Sequence, residues 1–172
     1  MKGRCIFPSL IILILAALAL TAATSAAVIP EHGPSAFGAG LFRFRNSAGR
    51  TELWSFSFEA AANKNGQTRG RAQFDNLATQ TSIIVKIDCL SVTTNINSAY
   101  AVMVGRVLHN DDPNLPKMPR VIFAASDGPL PPIFSADTIT PPFYFPFEDQ
   151  DCHDTQPLTI LPVEDGDVQI QP

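Results

Sequence analysis

Beyond residue 37 the hydrophobic and polar positions of the chain alternate. In Gly40-Leu41-Phe42-Arg43-Phe44-Arg45-Asn46 the two rings fall on one side and the two arginines on the other. In the next run Trp54, Phe56 and Phe58 alternate with Ser55, Ser57 and Glu59. A period of two sends successive side chains to opposite faces of a pleated strand, whereas a helix would scatter the same rings around its circumference. Asn46-Ser47-Ala48-Gly49 reads as a short polar loop, and Asn65-Gly66, both of which tolerate positive φ, predicts a type I′ hairpin. Gly70, Ala72 and Phe74 resume the alternation. Residues 40–75 are therefore expected to form a three-stranded antiparallel meander.

In Ser82-Ile83-Ile84-Val85-Lys86-Ile87-Asp88-Cys89-Leu90 the apolar stripe Ile83, Val85, Ile87 ends on Cys89, which predicts a thiol on the buried face. A polar turn follows over residues 93–98, and residues 99–108 are then apolar on both faces, as a strand covered on both sides requires. Residues 120–126 give a further strand that ends at Asp127-Gly128. Residues 129–147 hold Pro129, Pro131, Pro132, Pro141, Pro142 and Pro146 among Phe134, Phe143, Tyr144, Phe145 and Phe147. Proline cannot donate to a ladder, so this segment is expected to wrap a sheet edge, with one short strand near 133–139. Two last strands flank the turn Glu164-Asp165-Gly166-Asp167. No segment has helical spacing with caps. Seven to nine short strands predict an all-β fold, a single antiparallel β-sandwich or small β-barrel.

The N-terminal residues change the setting. Lys2 and Arg4 precede an apolar run from Ile6 to Leu20, and small residues follow up to Ser25-Ala26-Ala27. This order predicts a signal peptide over residues 1–27, cleaved near Ala27, because the run is shorter than the ~20 residues a spanning helix needs. No cysteine stands at the cleavage point to take a lipid. The product is expected to be secreted or periplasmic, with residues 28–37 a flexible arm, residues 38–172 one domain, and no transmembrane segment in the mature chain. Losing Lys2 and Arg4 takes the formal net charge from -4 to -6. An acidic surface disfavours nucleic acid and anionic lipid as partners. Cys5 leaves with the signal, so Cys89 and Cys152 remain as an even pair that should form one disulfide in an oxidising compartment. Closing that loop should stabilise by about 4 kcal/mol on the chain-entropy view. There is no C-x-x-C, and two cysteines with scattered histidines lack the spacing of a zinc site.

The order of these motifs resembles a widespread group of exported bacterial β-domains of unassigned activity. The resemblance rests on Gly38-Ala39-Gly40-Leu41-Phe42-Arg43-Phe44, Phe56-Ser57-Phe58, Gly70 with Phe74, and the cysteine strand Ile87-Asp88-Cys89-Leu90-Ser91-Val92. It continues through Val102-Met103-Val104-Gly105-Arg106-Val107, Val121-Ile122-Phe123 with Asp127-Gly128, Cys152, and Gly166-Asp167-Val168-Gln169-Ile170. It implies an extracytoplasmic β-domain in a bacterium and brings no catalytic residue.

Candidate chemistry is sparse. His109 stands beside Asp111 and Asp112, and His153 beside Asp151 and Asp154. Such pairs suit a base with its orienting carboxylate, or metal ligands, so a metal-assisted hydrolase is an alternative function. For it to hold, the two loops must converge on one cleft. No cofactor is expected, although Glu148, Asp149, Asp151, Glu164, Asp165 and Asp167 offer hard oxygen ligands for a structural calcium. Phe134, Phe143, Tyr144, Phe145 and Phe147 either make an exposed patch for a protein, glycan or small apolar ligand, or close one end of the core. A lipocalin-like carrier of an apolar ligand is a further alternative, and it needs a hollow interior where the sequence places bulky rings. The expected role is non-catalytic binding or structural work outside the cytoplasm.

Overall fold

In the computed structural model, described over residues 33–46, 48–113, 119–128, 137–146, 151–153 and 159–172, the described residues form ten strands and no helix. They are β1 (Ser35–Arg45), β2 (Thr51–Ala62), β3 (Thr68–Asn76), β4 (Thr81–Thr94), β5 (Ala99–Asn110), β6 (Arg120–Asp127), β7 (Thr138–Ile139), β8 (Phe143–Phe145), β9 (Leu161–Pro162) and β10 (Asp165–Gln171). All belong to one antiparallel sheet in the order β10-β1-β2-β3-β4-β5-β6-β7-β9, with β8 also on β6. The strand total exceeds the seven to nine expected, because the edge strands β7, β8 and β9 are two or three residues long. β1 starts at Ser35, inside the segment expected as an arm.

The sheet rolls up until β10 meets β5 and β6. At that seam no ladder forms among the described residues; instead Asp137 accepts hydrogen bonds from the Gly128 and Val168 backbone N–H groups at 2.9 and 2.8 Å, and Asp127 accepts one from Ile170 at 3.2 Å. Two carboxylates thus occupy the outward donors of an edge strand, which would otherwise template further pairing. The interior holds Phe42, Trp54, Phe56, Phe58, Phe74, Ile83, Met103, Phe123 and Ile139. Successive rings touch: Phe42–Trp54 at 6.3 Å, Phe56–Phe58 at 6.0 Å, Phe58–Phe123 at 5.9 Å and Phe74–Phe123 at 5.1 Å between centroids. The inward alternation expected for Phe42, Phe44, Trp54, Phe56 and Phe58 therefore holds.

Local geometry departs from the sequence expectation in three places. The 63–67 turn is not type I′, since Gly66 has φ +76° and Asn65 is not among the residues of positive φ. Gly66 N–H donates to Asn63 O, Asn63 N–H to Gln67 O, and Asn63 Oδ1 accepts from the backbone of Asn65 and Gln67. That is a three-residue loop with glycine in the left-handed position. Asn46 and Gly49 repeat its backbone bonds, with Gly49 at φ +78°.

The second departure concerns the cysteine. The β4–β5 register shifts by one between Ile87 and Cys89, so Asp88 is the extra residue of a bulge. A single inserted residue flips every later side chain to the other face. Leu90, not Cys89, continues the core stripe, and Cys89 turns outward. A second shift, between Ile84 and Val85, leaves Leu108 of β5 unpaired.

The third departure lies at the edge of β6. There β7 pairs with Ala125 and Ser126, and β8 with Arg120, Val121 and Ile122, one residue out of step. Pro141 and Pro142 sit in the gap, where no ladder donor is needed. The offset turns Tyr144 onto the main core and Phe145 into a second cluster on the outer face, with Val102, Val104, Ile122, Ala124 and Cys152. Residues 101–105 of β5 and nearly all of β6 are accordingly buried on both faces, whereas Arg106, Leu108 and His109 leave the C-terminal half of β5 open on its outer face, short of the cover expected over residues 99–108. No described helix is long and apolar enough to cross a membrane.

Candidate functional site

The outer cluster is pinned by the Cys89–Cys152 disulfide, whose Cα atoms lie 5.7 Å apart. Cys152 N–H donates to Cys89 Sγ at 3.2 Å, and a carboxylate oxygen of Asp151 lies 3.1 Å from that sulfur. Cys89, Asp151, Cys152 and His153 are the one group among the described residues close enough to share a metal. With both sulfurs bonded to each other, neither is a thiolate, and the remaining pair is a carboxylate and an imidazole 4.0 Å apart.

Beside the bulge, Asp88 takes two hydrogen bonds from Arg120, at 2.8 and 3.1 Å. Arg120 is buried, and its Nε has no hydrogen-bond partner among the described residues. This bidentate pair ties the bulge of β4 to the start of β6.

The two histidines do not converge. His109 pairs with Ile84 and His153 lies by Cys89, five positions further along β4, which is about 17 Å at strand rise. His109 contacts Asp111 at 3.4 Å. The Ser82 backbone N–H, and after it His109, hold the Asp111 carboxyl below its ordinary range. Both histidines are exposed, so each stands as a separate surface pair rather than half of one site.

The proposed calcium ligands are equally dispersed. Glu164 is engaged by Arg43 at 2.9 Å, Asp167 accepts from Gln169 at 2.8 Å, and Asp165 points outward on β10. Glu148 and Asp149 lie outside the described residues, as do Phe134 and Phe147. Of the aromatic patch, Phe145 is buried, Tyr144 packs on the core and Phe143 is 59% exposed. The Tyr144 hydroxyl is buried without a hydrogen-bond partner among the described residues, and burial, reinforced by the negative charge of Asp112, pushes its pKa far up.

What the sequence reading missed is the outer face of β1–β3. An open depression of about 840 Å³ lies there. Phe37, 42% exposed, borders it with the small residues Ala39 and Ala61, and Glu59, Arg69, Arg71 and Asp167 supply charge. Gly70 lets β3 approach β2 closely, because a Cβ there would run into the Glu59 carbonyl. Phe37 falls in the segment expected as a flexible arm, and only the pairing Phe37–Glu59–Arg71 across three strands assembles the surface.

Fold and geometry thus define an all-β, disulfide-locked domain with a filled interior and an open sheet face. The chain matches no family model, no curated protein and no solved structure.

Proposed function

We propose that the protein is exported and works outside the cytoplasm as a non-catalytic binding domain, with the outer face of β1–β3 as its ligand surface. The observation that carries this reading is the depression beside Phe37: a large ring left exposed over small side chains and rimmed by charge. An exposed ring that the core does not use, set in a concave polar frame, is what binding surfaces present. The ring-filled interior speaks against a lipocalin-like carrier, and the separation of His109 from His153 against a shared hydrolytic centre. Export is supported by the charged, apolar and small-residue order of residues 1–27 and by the disulfide. The resemblance to exported bacterial β-domains fits the same reading.

The test is the protein purified from its own host. N-terminal sequencing should find a chain that starts near Val28; one starting at Met1 in the cytoplasm refutes export. Native mass spectrometry should find a retained mass that is lost on Phe37→Ala and on Ala39→Arg, which crowds the depression. A retained mass indifferent to both substitutions refutes the site.

A further inference from the structure

The depression continues into a row of cations. Reading the registers across the outer face, Phe37 is paired with Glu59, Glu59 with Arg71, Arg71 with Lys86, Lys86 with Arg106, and Arg106 with Arg120. Neighbouring strands are about 4.8 Å apart, so the path from Phe37 to Arg106 measures about 19 Å along the curved outer surface of the rolled sheet. Arg71, Lys86 and Arg106 are exposed, as is Arg69 beside them, and none of the four has an ion pair or side-chain hydrogen bond among the described residues. Like charges directly opposite one another destabilise an antiparallel pair. Three in succession on a chain of net charge -4 are a local exception to the whole surface.

The row contains its own precedent for what covering a cation demands. Arg120, its last member, lies buried, and there it meets a carboxylate that engages two of its nitrogens. A ligand laid over Arg106, Lys86 and Arg71 would exclude water from them in the same way. It must then bring anionic groups of its own, because a covered guanidinium without a partner is strongly unfavourable. The far end of the row asks for something else. Phe37 offers a flat apolar face, and Glu59 beside it accepts hydrogen bonds from hydroxyl groups.

We propose that this face binds an acidic polysaccharide lying across the strands, its carboxylates on Arg71, Lys86 and Arg106 and a sugar ring against Phe37. This rests on the reading of the β1–β3 face as a ligand surface and extends that face to β5. Guanidinium groups read carboxylates bidentately, which favours two arginines flanking a lysine over a purely diffuse positive patch.

The probes are oligogalacturonate, neutral dextran, inorganic polyphosphate and a single-stranded oligodeoxynucleotide, titrated calorimetrically into the oxidised, signal-free chain. Oligogalacturonate should bind, more weakly as salt rises. Its affinity should fall at least tenfold on Lys86→Glu and on Arg106→Glu, and severalfold on Phe37→Ala. Because Lys86→Glu sets a carboxylate between two arginines, that variant should also melt higher, by about 2 °C or more. A lower melting temperature would make the row structural and overturn the proposal. Polyphosphate or oligodeoxynucleotide binding as tightly as oligogalacturonate, with Phe37→Ala neutral, replaces the glycan with an unselective polyanion surface. Dextran binding that depends on Phe37 and ignores Lys86 overturns this proposal while leaving the ligand face intact. No binding by any probe also overturns it, and the retained mass in the host-purified protein then decides the wider reading separately.

Discussion

Removal of the Asp88 carboxylate tests the feature on which the outer face depends. In Asp88→Ala, Arg120 loses both of its hydrogen bonds to a carboxylate, while its side chain remains only 10% exposed. Stripping one partner from a buried ion pair costs about 3–5 kcal/mol. Asp88 is itself 34% exposed, so water replaces part of what is lost and the expected cost is near the bottom of that range, about 3 kcal/mol. For a domain of this size that lowers the melting temperature by about 10 °C. Arg120→Met alone removes the charge and fills the same space, so it should cost less. The double variant should be no worse than Asp88→Ala, giving a coupling of about 2 kcal/mol. Urea unfolding followed by the fluorescence of Trp54, which is 4% exposed, measures all three. A loss below about 1 kcal/mol for Asp88→Ala, or additive single effects, refutes the assignment. Deleting Asp88 outright is the sharper variant. Without the extra residue Cys89 still stands opposite Val104 and faces outward, so the disulfide should persist while Arg120 loses its carboxylate; two titratable thiols would refute the bulge assignment.

Four further outcomes follow from the same geometry. Cys89→Ala with Cys152→Ala opens a loop of sequence separation 63 and should lower stability by about 4 kcal/mol, as should reduction of the wild type; unchanged urea midpoints would show the bridge to be dispensable. Asp137→Ala strips the Gly128 and Val168 N–H groups of their acceptor and should cost about 2–3 kcal/mol, with amide exchange rising first along β10; uniform exchange would contradict a side-chain seam. Burial raises the pKa of both Tyr100 and Tyr144. Their folded-state pKa values exceed the unfolded value of about 10, so stability is complete below pH 10 and declines above it. Absorbance at 295 nm should show no tyrosinate near pH 10 until the protein unfolds. Tyr144→Phe, which deletes an unpartnered buried hydroxyl, should raise stability by about 1 kcal/mol, and a loss instead would reveal a partner for that hydroxyl.

Alternation made the meander and its inward rings legible, because period two is a local property that each strand displays alone. The disulfide was legible from cysteine arithmetic. Its face was not: Ile83, Val85 and Ile87 extrapolate inward to Cys89, and a bulge is a property of a strand pair. Asp88 left a trace only in retrospect, as the charged residue whose partner Arg120 lies 32 positions away in sequence. The ligand face was hidden for the same reason. Arg71, Lys86 and Arg106 each look like the ordinary wet side of a strand, and only two ladders in register turn them into a row. Phe37 was masked by Pro30 and Pro34, whose spacing resembles a loop up to the residue where β1 begins.

The two bulges of β4 and β5 bear on function through that register. They offset one another, so the shifted pairing is confined to Val85–Val107, Lys86–Arg106 and Ile87–Gly105. Outside those rungs the strands pair as though no residue had been inserted. Within them, Lys86 stands opposite an outward arginine; unshifted, it would stand opposite Val107, whose side chain packs on the core. The bulge pair therefore does two things. Its Asp88 member carries Cys89 out to the disulfide that holds down the covered part of the sheet, and the shifted rungs between the two bulges complete the line of cations on the part left open. A variant that realigns β4 should lose both together, whereas one that removes only the sulfur bridge should keep the cation row in place.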